Sequence, residues 1–374
     1  MPPNLKSWSL IVALAALTGC ATTDDSAPPA GPALTAEQGR ALVSRLLPDG
    51  LADRTGWAVD IYAAVAALEL PVTREIFCAA IAVTEQESGF RVDPAVPGLA
   101  AIARKEIEKQ RERLGIPALL LDAALALPSS TGKSYAERID AARTELQLSD
   151  IFEDFIRRVP LGEKFLADRN PVRTGGPMQV SIAFAEFQLA AKPYPYPLTG
   201  NPRHEVFTRR GGMYFGIAHL FDYPARYSRN IYRFADFNAG RYASRNAAFQ
   251  AAVTQLTGIP LTLDGDLLRY EQGHPAKEPA NTEIALRVLA RRLDLSNAEI
   301  RRDLERSKEP AFERTALYVR VFATADRGGT GPVPREALPT IELSSPKITR
   351  KLTTDWFAHR VDERYQRCLS RART

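Results

Sequence analysis

Between Thr35 and Cys368 the apolar residues return again and again at intervals of three and four. That period puts them on one stripe of an α-helix, so the chain is expected to be mostly α. Stripes fall at 35–47, 54–68, 74–88, 117–127, 135–146, 151–159, 213–220, 232–239, 247–256, 282–293, 297–305, 312–325 and 348–368. Pro71 interrupts the pattern, Thr73 follows as an N-cap, and Gly89 stands just past the end of the 74–88 helix. Leu99, Ala103, Ile107 and Leu114 form a further stripe within a segment, 94–170, that reads as a large helical insertion. One small β-hairpin is expected, with Ile259–Leu263 and Asp266–Tyr270 flanking Asp264-Gly265.

The 374 residues are enough to bury a sizeable core, and 45% hydrophobic with 25% charged is ordinary for a folded chain. Several chemistries lack their residues. Ser130-Thr-Gly-Lys133-Ser134 invites a phosphate-loop reading, but Leu127 stands where the first glycine must be and no strand precedes it. His204, His219, His274 and His359 have no metal-ligand spacing, and no Ser-His-Asp signature or glycine-rich nucleotide loop appears. No cofactor and no metal are expected. The formal charge is +5, yet Arg291-Arg292 and Arg301-Arg302 are spaced as solvated helix faces, so nucleic acid is not an expected partner. A mildly positive surface does tolerate an anionic polymer such as a bacterial wall.

The N-terminus reads as an export signal. Lys6 precedes an apolar run, Leu10–Leu17, too short to span a bilayer, and Leu17-Thr18-Gly19-Cys20 follows. The last four residues resemble the lipobox of bacterial lipoproteins. The resemblance implies cleavage of residues 1–19, acylation of Cys20 and attachment to a membrane. Ala21, where retained lipoproteins carry Asp, implies the periplasmic face of the outer membrane. Residues 20–34, rich in Ala, Thr, Asp and Pro, read as a flexible tether. Processing removes Lys6, leaving 48 − 44 = +4. In an oxidising periplasm Cys78 and Cys368 have two readings, a disulfide or two buried free thiols.

The 74–88 helix carries the main candidate for chemistry. Ile76, Ala80, Val83 and Glu87 share one face, beside Phe77 and Ile81. A carboxyl on the apolar side of a buried helix, near its C-terminus, is held toward its protonated form by desolvation and by the helix dipole. A general acid needs that state. The alternative is a solvent-exposed glutamate in a frayed last turn.

Two further segments bear on that choice. Glu87-Ser88-Gly89-Phe90, Gly175-Gly176-Pro177-Met178-Gln179-Val180 and Phe234-Ala235-Asp236-Phe237-Asn238-Ala239-Gly240 resemble, in order, the signature segments of lysozyme-like lytic transglycosylases. Gly212-Met-Tyr-Phe-Gly-Ile-Ala-His-Leu resembles the helix preceding the last of them. The resemblance covers about 74–250. It implies a lysozyme-like domain at 35–250 with the insertion at 94–170, and a helical C-terminal extension at 251–374. It implies Glu87 as general acid and then base. Ser88, Met178, Gln179 and Asn238 would line or hold a groove for peptidoglycan glycan strands.

The sequence departs from that family at three places. Gln179 follows Glu87 by 179 − 87 = 92 residues, Pro177 replaces a leucine, and Phe237 replaces a tyrosine whose hydroxyl Tyr232 or Tyr242 would have to supply. Glycoside hydrolysis uses two carboxyls. Asp93 and Asp236 are the candidates for a second one, neither within a motif assignment. With one acid, the resemblance implies attack by the muramic acid C6 hydroxyl on its own anomeric carbon, giving a 1,6-anhydro sugar. Hydrolysis by a muramidase and glycan binding without catalysis are the alternatives.

Overall fold

A computed structural model describes residues 34–159, 166, 169–198, 200–271, 273–329, 331–343 and 351–371. The leader 1–19, Cys20 and all of the tether except Leu34 lie outside them. Residues 35–374 form one compact unit.

The unit is mostly α, with seventeen α-helices among the described residues. Three lead the chain, α1 (Ala36–Leu46), α2 (Arg54–Ala67) and α3 (Arg74–Glu87). The insertion carries α4 (Leu99–Arg113), α5 (Ala118–Ala126), α6 (Tyr135–Ala141) and α7 (Glu145–Arg158). A minimal antiparallel pair, β1 (Thr174–Gly175) and β2 (Val180–Ser181), follows. Next come α8 (Ile182–Ala191), α9 (Pro202–Val206), α10 (Arg209–Phe221), α11 (Asn230–Ala239) and α12 (Ala243–Thr257). A second short pair, β3 (Tyr270–Glu271) and β4 (His274–Pro275), precedes α13 (Asn281–Val288), α14 (Ala290–Leu293), α15 (Asn297–Glu305), α16 (Ala316–Arg327) and α17 (Thr354–Arg371).

Local chemistry sets many boundaries. Thr35, Ser134, Thr144 and Ser296 each form a capping box with Gln38, Glu137, Gln147 and Glu299. Thr73 caps α3 through the Ile76 N–H. At the other end of α3 the Gly89 N–H returns to the Glu85 carbonyl with φ +57°, a conformation glycine takes without Cβ strain.

Two apolar clusters form the interior. One gathers α1, α2, α3, α10, α11 and α17, and the other α12 through α16. Within the first, Phe77 to Thr84 are buried without a break, so α3 is enclosed on all sides. The last helix returns to it, and Cys78 and Cys368 are joined by a disulfide across 290 residues. The insertion closes at its root, where the Val96 N–H donates to the Arg143 carbonyl at 2.9 Å and the Asn170 amide to Ser149 Oγ at 3.1 Å.

Two expectations are corrected. Asp264-Gly265 does not turn a hairpin. Its polar groups go to α12 instead: the Gly265 N–H donates to Gln250 Oε1, its carbonyl accepts from Asn246, and Asp264 accepts from Gln250. The stripe on α4 also ends early, since Leu99 and Ala103 are buried whereas Leu114 is 50% exposed.

Candidate functional site

Helix α10 touches α3, the loop 176–179 and the end of α11. Gly211, Gly212 and Gly216 leave its surface without side chains where other backbone must come close. A Cβ on Gly212 would fall 2.2 Å from Pro177 Cδ, and one on Gly216 would fall 2.3 Å from Met178 Sδ. The loop 176–179 therefore lies directly on the helix. One face over, Met213 Sδ sits 3.5 Å from Thr84 Oγ1, three residues before Glu87 on α3. Near the end of α10, His219 Nε2 donates to the Phe237 carbonyl at 3.2 Å. From Gly212 to His219 is about two turns, ~10 Å along the axis.

Each segment has a defined local shape. Glu87 ends α3 and is half-buried. Ser88 is buried and its Oγ donates to the Thr84 carbonyl at 3.2 Å, so it closes the helix and does not face a groove. Phe90, also at positive φ (+62°), folds back onto Trp57 with ring centroids 5.2 Å apart.

The second segment is the turn of the β1–β2 pair. The Gln179 N–H donates to the Gly176 carbonyl at 3.1 Å, and the Gln179 side-chain amide donates to the same oxygen at 3.1 Å. Gln179 holds φ +49°, a strained value for a residue with a Cβ, and is half-buried at the corner of the turn. Met178 corrects the sequence reading. It is 0% exposed, because Gly216 gives its thioether a bed, and it supports the turn from beneath without reaching a ligand. Pro177 is accommodated for the same reason, by Gly212.

In the third segment Phe237 is half-buried and Asn238 exposed, beside Gly240 at φ +106°. Asp236 is a structural carboxylate. It accepts from the hydroxyls of Tyr223 (3.0 Å) and Tyr227 (2.7 Å) and from the N–H groups of Tyr242 (2.9 Å) and Ser244 (2.7 Å). Three of the donors converge on Oδ2 and one on Oδ1, and the residue is 1% exposed, so its carboxylate is closed off from a water beside a bound sugar. Burial raises its pKa and the hydrogen bonds oppose that. Tyr242 is not a substitute for the missing phenol: it is 3% exposed, packed between Tyr223 and Arg245, with its hydroxyl sealed from solvent. Tyr232 is half-buried beside Tyr227, ring centroids 5.9 Å apart.

Sequence reading passed over His219. Its ring lies between Phe184 (4.9 Å) and Phe237 (5.0 Å), and its Nδ1 is buried without a hydrogen-bond partner. Burial first, then the Arg241 charge, bring its pKa down to about 4, so it is neutral at pH 7. Arg241 caps α10 by donating to the Ala218 and His219 carbonyls. The available signal was the Gly212/Gly216 spacing, which marks close approach of another chain segment.

A recess of about 260 Å³ opens beside Gly240, floored by Phe184 and His219 and rimmed by Phe187, Arg241 and Lys308. A larger one, about 540 Å³, adjoins it at Asp266 and Lys308. Glu87 lines neither. Among the described residues no group of three or more His, Cys, Asp or Glu is placed to hold a metal ion, and no helix is long and apolar enough to cross a membrane.

A family model described as "Protein of unknown function (DUF1615)" matches residues 50–371. The protein of Escherichia coli (strain K12) described as "Uncharacterized protein YaiW" is 51% identical over 365 residues, 98% of each chain. No solved structure matches.

Proposed function

The chain belongs to the DUF1615 family, and we propose that it is a lipid-anchored, lysozyme-like lytic transglycosylase acting on the glycan strands of peptidoglycan. One observation supports the reading: α3 at Thr84, three residues before Glu87, the Gly176–Gln179 turn and the Phe237 carbonyl, far apart in sequence, each touch α10 within about two helical turns. Export and acylation of Cys20 would hold the protein at the periplasmic face of the outer membrane, next to that polymer.

In the proposed reaction the Glu87 carboxyl gives its proton to the oxygen linking N-acetylmuramic acid to N-acetylglucosamine. The bond from the anomeric carbon to that oxygen breaks, and the C6 hydroxyl of the same muramic acid bonds to the anomeric carbon. The hydroxyl proton passes to the Glu87 carboxylate, which restores the acid. No water is consumed and no second carboxylate is required, consistent with Asp236 being closed off. Gln179, half-buried at the corner of its turn, and Asn238, exposed at the end of α11, are the side chains proposed to hold the glycan.

Digestion of sacculi in ¹⁸O-labelled water tests the reaction class. Transglycosylation gives anhydro ends without the label, whereas hydrolysis by a muramidase gives reducing ends that carry it. A second reading, glycan binding without cleavage on the same fold, is favoured by Phe237 and by the sealed hydroxyl of Tyr242. It predicts that sacculi retain the protein, that no new ends appear, and that Glu87→Gln binds as well as the native chain.

A further inference from the structure

Among the described residues thirteen large apolar side chains are exposed, and five of them lie between positions 114 and 127: Leu114 (50%), Ile116 (38%), Leu119 (78%), Leu120 (61%) and Leu127 (49%). Leu114 and Ile116 lie at the turn that ends α4, Leu119 and Leu120 on the first turn of α5, and Leu127 at its other end. Helix α4 is anchored at its start by Leu99 and Ala103 and extends ~22 Å along its axis. Its end is rigidly built. Gly115, at φ +65°, donates to the Glu112 carbonyl and Ile116 to the Arg111 carbonyl, and Arg111 also bonds the Ile116 carbonyl. Pro117 then starts α5, which turns Leu125 inward and Leu119 and Leu120 outward.

We infer that this tip dips into a lipid bilayer surface. Its chemistry favours lipid over a protein partner. The five side chains are all aliphatic, whereas protein interfaces concentrate their binding energy in Trp, Tyr and Arg. Exposed Lys105, Lys109 and Arg113 stand behind the tip on α4, and Lys133 follows α5, where anionic headgroups would meet them. Of the acids beside them, Glu108 lies 2.6 Å and Glu112 3.8 Å from Arg111, Glu106 lies 3.9 Å from Lys109, and Asp122 is exposed on α5, which leaves Lys105, Arg113 and Lys133 as the cations for headgroups. The inference rests on the lipoprotein reading in one respect: an acylated Cys20 leaves fifteen residues, 20–34, before the compact unit, a reach of at most ~50 Å. The bilayer would then be held within that reach of the start of the compact unit that carries the tip.

The test uses the full processed chain in vesicles of phosphatidylethanolamine and phosphatidylglycerol that carry a nitroxide near the headgroup. Tryptophan fluorescence of Ile116→Trp is compared with Val288→Trp, an exposed position on α13, after subtraction of the parent chain. The tip position should be quenched at least about twofold more, and Leu119→Asp with Leu120→Asp should abolish the difference. Equal quenching at 116 and 288 overturns the inference, as does concentration-dependent self-association that shields position 116 without quenching it. The mass of the Cys20 peptide decides the anchor separately. A lipidated Cys20 with an unquenched tip leaves the anchor and removes the tip, and an unmodified Cys20 with a quenched tip does the reverse.

Discussion

Met178 packs its thioether into the space that Gly216 leaves on α10, a fit so close that a single added methyl would fall 2.3 Å from the sulfur. That contact seats the Gly176–Gln179 turn on the helix that also touches α3 and the end of α11. The placement of Gln179 relative to Glu87 therefore depends on a residue that itself reaches no ligand.

Gly216→Ala should lift the turn and cost ~1–3 kcal/mol of stability by overpacking. Denaturant melts measure it. Met178→Ala in the same chain should restore part of the loss, because the clash involves that side chain; an unchanged double mutant would place the strain elsewhere.

Stability should fall in mild acid through His219. Its pKa in the fold, about 4, lies below the ordinary 6.5, so between those values the unfolded chain binds more protons. The contribution is fully present above pH 6.5 and is lost as pH falls toward 4, by at most about 3 kcal/mol. His219→Gln keeps a donor for the Phe237 carbonyl and should flatten the difference between melts at pH 4.5 and 7, values chosen at about the two ends of that window.

Reducing the Cys78–Cys368 disulfide, or replacing both residues with Ala, should lower stability by ~2–5 kcal/mol, since the bridge closes a loop of 290 residues. Thermal melts with and without reductant check this. Reductant should have no effect on the double-alanine chain.

Asp236→Asn should destabilise by ~1–3 kcal/mol, because an amide cannot accept from all four donors around it. If Asp236 were a catalytic base, activity would fall far more than stability. The present account expects the folded variant to retain most of its activity.

Helical structure was largely legible in the sequence because caps and apolar spacing are local. Thr73 and Gly89 bracket α3 as their chemistry requires, and Thr35, Ser134 and Ser296 mark starts in the same way. The β elements were not. Each strand has two residues, too few for an alternating pattern, and the Asp264-Gly265 signal yielded to side chains of α12 that are close only in the fold. In the Ser130–Ser134 segment the Ser130 N–H goes to Asp154 and Ser134 caps α6.

At the site, the three segments could be named from their residues, but their burial could not. Met178, Ser88 and Tyr242 read as groove residues and are interior ones: Gly216 beds Met178, Ser88 turns back onto the Thr84 carbonyl, and Tyr242 joins the Asp236 cluster. His219 was missed since a lone histidine in an apolar helix carries no sign of the unpartnered Nδ1 it acquires on folding.

The most direct measurement is mass analysis of muropeptides released from purified sacculi by the native chain and by Glu87→Gln, each shown to be folded by its melt. The account predicts 1,6-anhydro-muramic ends from the native chain and a loss of about 10²–10⁴-fold in the variant. Sacculi left intact by the native chain, or cut equally well by the variant, would contradict it.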